Sequence, residues 1–158
     1  MTRQTVPGAS PAEPKVLAAN LLTEPGFESA AGWTPLIQPA WPGSSLWRGT
    51  WAVAAPHSGT SAYAISNHAY GRVKSDLVTG ISPGEPYDVA LWLRGELDTG
   101  DSQQGVKVRV HFLDAGNAQI SVADVYNEIS SLPTDWTKVE GQVTPPAGTA
   151  KIQVSLWF

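Results

Sequence analysis

The 158-residue chain reads as an all-β domain, either a two-sheet sandwich or a barrel. Apolar and polar residues alternate over short runs, most cleanly at residues 106–113 (VKVRVHFL). There Val106, Val108, Val110 and Phe112 share one face while Lys107, Arg109 and His111 share the other. Turn chemistry separates the runs, as at Pro83 and Gly84 or at Asp114, Ala115, Gly116 and Asn117. No stretch holds a convincing helical period.

Composition narrows the function classes. A chain of this length fits one domain and buries a sizeable core without staples. The absence of Cys removes disulfides and Cys-ligated zinc. Charged residues make up 15%, against about 25% in an average soluble domain, whereas Trp occurs seven times. A net charge of −4 argues against an electrostatic nucleic-acid binder. No apolar run approaches the about 20 residues that span a bilayer, and MTRQTVPGAS has no apolar signal core, so neither membrane anchor nor signal peptide is expected.

Residues 1–15 are polar and broken by Pro7, Pro11 and Pro14, which suits a disordered linker or tag remnant, and the module is expected over residues 16–158. Residues 16–22 (VLAANLL) suit a first strand. Pro25, Gly26, Phe27 and Glu28 form a turn, and Trp33 is expected to plug the core. The first half of residues 34–55 reads as a long loop because Pro35, Pro39, Pro42 and Gly43 interrupt it, and residues 45–53 read as a strand. Trp41, Trp47 and Trp51 are more indole than one strand buries, so some are expected to be exposed. Residues 61–66 (SAYAIS) alternate. Within residues 70–79, Val73, Ser75, Leu77 and Thr79 are assigned to one side and Arg72, Lys74, Asp76 and Val78 to the other. Pro83 and Gly84 turn the chain into a strand that sets Val89, Leu91 and Leu93 against Asp88, Ala90, Trp92 and Arg94, with Trp92 expected to be covered by loops. A polar acidic loop over residues 95–105 precedes strands at 106–113, 119–126 and 136–144. The last strand, at 150–158, sets Ile152, Val154, Leu156 and Phe158 against Lys151, Gln153, Ser155 and Trp157.

Six stretches, in order, carry a family resemblance. They are NLLTEPGFE at residues 20–28, GW at 32–33, HSGTSAYAIS at 57–66, VKSDLVTGISPGEPYDVALWLR at 73–94, DAGN at 114–117 and TDWTKVEGQVTPPAGTAKIQVSL at 134–156. Together they resemble the jelly-roll carbohydrate-binding modules of the 4/9/16/22-type families, which are galactose-binding-domain-like. The resemblance implies an antiparallel two-sheet β-sandwich, non-catalytic, attached to a secreted glycoside hydrolase or surface protein and so extracellular or at the cell surface. It also implies a structural calcium ion held by the Glu28 carboxylate and by backbone carbonyls near Gly26 and Thr60; by itself Glu28 reads equally as a turn cap. Two departures stand out. Ser75 occupies a position where such modules usually carry Gln, and the sequence stops before the family's last strand with its Asp pair. That strand would lie between residues 61–66 and 87–94, so two open edges are expected. They are closed either by the Trp-rich segment or by a strand from a partner chain or second copy, with residues 15–22 as the candidate donor.

Sugar recognition calls for a flat aromatic to stack on C–H groups and a rim of planar hydrogen-bonding groups for hydroxyls. On this reading a polysaccharide of xylan or β-glucan type is bound by Trp47, Trp51, Tyr70, Arg109, His111, Tyr126, Gln153 and Trp157, with Arg109, His111, Gln153, Ser155 and Trp157 on one open face. The competing reading makes Lys107, Arg109 and His111 a solvated strand face and Trp157 half-buried packing. An enzyme is not expected: His57, His68 and His111 lack metal-ligand spacing, and no nucleophile motif or phosphate loop is present. The remaining alternative is a structural or assembly module completed by strand addition.

Overall fold

The structure, a computed structural model, describes residues 20–38, 45–49, 55–66, 70–95, 105–128 and 132–157. Among them lie ten strands: β1 (Trp33–Gln38), β2 (Ser45–Gly49), β3 (Ala62–Ser66), β4 (Tyr70–Ser75), β5 (Val78–Thr79), β6 (Tyr87–Leu93), β7 (Val106–Leu113), β8 (Gln119–Glu128), β9 (Thr137–Val143) and β10 (Lys151–Trp157). One sheet runs β1-β4-β10-β7-β8, with β5 also on β10; two separate ladders, β2-β3 and β6-β9, supply the rest. Every ladder is antiparallel.

The alternation of β7 and β10 builds the centre. Register sets Val108 opposite Leu156, Val110 opposite Val154 and Phe112 opposite Ile152, so three apolar rows line the inner face of the large sheet. Val73, Val108 and Val110 are 0% exposed. Trp33, Val78, Ile81 and Val143 join them, and Tyr63, Tyr87, Val89 and Leu91 of the two small ladders close over them while remaining partly exposed. The turn at Pro83 and Gly84 forms as expected: Gly84 has φ 86° and its N–H donates to Pro145 O at 2.9 Å. β6 then half-buries alternate residues, beginning with Tyr87.

Four expectations change. Residues 33–38 form β1 rather than a loop, paired along its length with β4. Pro35 is tolerated because among the described residues β1 ends its sheet, where one side of the backbone needs no ladder partner. Residues 70–79 do not keep one parity: Val73, Ser75 and Val78 are buried, whereas Leu77 is 40% exposed. The Ser75 hydroxyl causes the break, because Oγ donates to Asp76 O at 2.8 Å and accepts the Val154 N–H at 2.9 Å, taking a ladder partner. β8 carries an irregularity between the partners of Val108 and Arg109, which are Tyr126 and Asp124. Residues 20–22 lie outside any strand, with Leu22 packed on the core; residues 1–19, including the expected linker, lie outside the described residues. Trp33 does plug the core, and its indole N–H donates to Glu24 O at 2.9 Å.

Candidate functional site

The outer face of the large sheet gathers the chemistry. Because β10 lies between β4 and β7, Trp157 is flanked in register by Arg72 and Lys107, Ser155 by Lys74 and Arg109, and Gln153 by His111. The Trp157 indole is half-buried. Its N–H can only donate, and it reaches Ser155 Oγ at 2.8 Å. Gln119 Oε1 can only accept, so His111 carries its proton on Nδ1 and donates there at 2.8 Å, and the Nε2 of the neutral ring accepts the Ser155 hydroxyl at 2.7 Å. This relay orients the indole through groups that all stay neutral. Burial pushes the His111 pKa below its ordinary 6.5, the cations Lys74, Arg109 and Arg72 push the same way, and the Gln119 contact opposes them.

Two guanidinium groups complete the setting, with Arg72 Cζ 4.8 Å and Arg109 Cζ 5.4 Å from the Trp157 ring centroid. Arg109 Nε donates to Asp124 Oδ1 at 2.7 Å. Lys74 has its pKa lowered, first by burial and then by Arg72. The arrangement offers an amphipathic ring, planar donors and a half-buried amide, since Gln153 Nε2 donates to Ser75 O at 2.8 Å. Such a surface suits a polar ligand with apolar faces.

The expected site residues divide. Arg109, Gln153 and Trp157 stand on this face together. His111 belongs to it by register but is 8% exposed with both ring nitrogens engaged, so it positions Trp157 rather than lining an open rim. Tyr126 leaves the face: opposite Val108, beside the β8 irregularity, it packs against the core. Trp47 lies in β2 opposite Ala64, in a different ladder from the Arg109 face. Tyr70 opens β4 opposite Gln38, two residues before Arg72, and Trp51 lies outside the described residues. Arg72, Lys74 and Gln119 were missed, although the alternation of β4 already placed the first two on one side. On the β6 ladder Trp92 is 43% exposed rather than covered; His57 stacks on it at 3.8 Å and 14°, and Trp136 donates to Ala55 O at 3.0 Å.

The Glu28 carboxylate, expected at a calcium site, meets donors of the loop before β3. It accepts the Thr60 N–H at 2.9 Å, the Thr60 hydroxyl at 2.6 Å and the Ser61 N–H at 3.4 Å, and these bonds, led by the hydroxyl, lower its pKa. Gly59, at φ 65°, brings the backbone under the carboxylate. These donors fit a turn cap.

An open antiparallel sandwich with an aromatic and polar sheet face is the architecture of a carbohydrate-binding module. The carbohydrate binding domain family CBM 4/9 matches residues 19–157, and the chain belongs to that family. Solved structures agree in fold. The C-terminal family 22 carbohydrate-binding module of Clostridium thermocellum Xyn10B superposes with a TM-score of 0.58 at 14% identity, covering 89% of this chain and 85% of that one. A xylan-binding domain of family 22 gives 0.55 at 14%, covering 83% and 80%. The enzymatically active domain of bacteriophage CBA120 tailspike protein 4 gives 0.61 at 12%, covering 87% of this chain, which spans only 19% of the tailspike chain. The fold is thus the jelly-roll sandwich of these modules. No curated protein sequence matches the chain.

Proposed function

We propose that the chain is a non-catalytic module that binds a polysaccharide of xylan or β-glucan type across the outer face of β4, β10 and β7, serving a secreted glycoside hydrolase or a surface protein. The observation that carries this reading is the Trp157 indole, fixed through Ser155 and His111 on an open sheet and ringed by Arg72, Arg109 and Gln153. Family membership and the family 22 xylan-binding neighbour support it. Titration with xylan and β-glucan oligosaccharides, followed by Trp fluorescence and calorimetry, is expected to give saturable binding. Trp157→Ala is expected to weaken it about tenfold, the scale of one aromatic contact of about 1.5 kcal/mol. A folded sample that answers to no glycan overturns the reading.

A second reading has its own observation. Among the described residues β3 pairs only with β2, and β6 only with β9, so each has an unpaired edge. Tyr63, Val89 and Leu91 in those strands pack on the core yet stay partly exposed. We infer that one of these unpaired edges accepts a strand from a second copy, which makes assembly part of the function. Light scattering of the full chain is expected to show a mass that rises with concentration toward a dimer. A monomer throughout removes this reading and leaves glycan binding untouched.

A further inference from the structure

The proposed glycan face is far more basic than the protein that carries it. The whole chain has a net charge of −4 and ten Lys and Arg residues, yet four of these, Arg72, Lys74, Lys107 and Arg109, occupy neighbouring outward positions on β4 and β7. Asp124, opposite Arg109 in register, is bound to it. Arg72 has no acidic partner among the described residues, and its guanidinium lies over Trp157 instead. Lys74 and Lys107 have no ion pair there either. Like charges packed this closely repel one another, and the lowered pKa of Lys74 reflects its burial and the pressure of Arg72. A neutral xylan or glucan relieves none of this repulsion.

We propose that the natural ligand is an acidic polysaccharide whose carboxylates, as on uronic-acid units, pair with Arg72 and the flanking lysines while the sugar backbone lies along β10. The chemistry fits carboxylate better than a bare point charge. The guanidinium of Arg72 is planar and offers paired N–H donors that match a carboxylate's two oxygens. Its position against the indole holds that fork beside β10, along which the sugar backbone would pass. The strand between the two cationic rows is β10 alone, so Arg72 and Lys107 stand about 9.5 Å apart in strand spacing, on either side of β10. Burial on the sheet reduces the screening that weakens surface pairs. The relay through Ser155 and His111 adds no charge of its own, leaving the field of the face to these cations.

This inference rests on the glycan-binding reading, and the experiment separates the two. The full chain is titrated with glucuronoxylan and with the same material after chemical reduction of its carboxyl groups to alcohols. Tighter binding of the native polymer, by about tenfold for one charge-assisted pair, with affinity falling as salt rises, is expected. Arg72→Gln should remove most of that difference, and Lys107→Gln should remove part of it, so the test survives if one variant folds poorly. Equal affinity for native and reduced polymer overturns the acidic ligand while keeping the glycan reading. Binding to neither overturns both. Equal or tighter binding of dextran sulfate or single-stranded nucleic acid overturns it in favour of unselective anion exchange.

Discussion

Replacing Gly32 with alanine is expected to lower stability by about 2–4 kcal/mol, the sum of a left-handed backbone penalty of about 1–2 kcal/mol and an overpacking penalty of similar size. Gly32 has φ 76°, and a Cβ there would sit 2.7 Å from both the Thr23 Cβ and the Thr23 carbonyl oxygen. The second contact is with backbone, so no rotamer change relieves it. Nor is the loop free to move away. Gly32 O accepts the Asp76 N–H at 2.7 Å, and the next residue, Trp33, is 5% exposed with its indole N–H on Glu24 O at 2.9 Å. Leu22 and Phe27, just outside, also pack on the core. Urea unfolding supplies the measurement, with Gly84→Ala as the comparison, because Gly84 has φ 86° but no atom within 4 Å of the built Cβ. Gly84→Ala carries the conformational penalty alone. Equal losses in the two variants would remove the clash from the argument.

The two central strands were legible from sequence because each is paired on both sides and packs one face on the core, which sets apolar residues at alternate positions along most of β7 and β10. β1 was not, since an edge strand has room for Pro35 and most of its described side chains are exposed. The same limit applies to the site. Alternation placed Arg109, Gln153 and Trp157 outward, yet it could not join them to Arg72 and Lys74, which reach the face only because β10 inserts between β4 and β7. Burial of His111 depends on Gln119, across the following turn, and on Ser155 from another strand. Tyr126 lost its expected side because irregularities in β8 shift parity, and no local pattern in residues 119–126 announces them. Ser75 shows the converse: a single hydroxyl that bonds into β10 ends β4 and turns Val78 inward.

Ser155→Ala tests how far that face is prearranged, and it is expected to reduce stability by about 1–3 kcal/mol near pH 8, the scale of leaving a buried polar group unpaired. Ser155 is 0% exposed and its Oγ serves two partners, accepting from Trp157 Nε1 at 2.8 Å and donating to His111 Nε2 at 2.7 Å. Alanine orphans both. The effect should depend on pH. In the intact protein the His111 pKa is lowered from 6.5, so the folded state refuses a proton that the unfolded chain takes up. The stability tied to this histidine is full above pH 6.5 and is lost as pH falls through 6.5 toward the lower folded value. The hydroxyl contributes by donating to Nε2, a contact only the neutral ring accepts. Removing a donor that only the neutral ring accepts is therefore expected to cost more near pH 8 than in a second measurement below pH 6.5, where the ring begins to take up its proton. Glycan affinity should fall as well, because the Trp157 indole loses the bond that sets its angle over β10. Unfolding in urea at both pH values reads the first effect, and oligosaccharide titration reads the second. A loss that is the same at both pH values would detach His111 from the relay, and unchanged affinity would show that Arg72 and Arg109 hold the indole without help from Ser155.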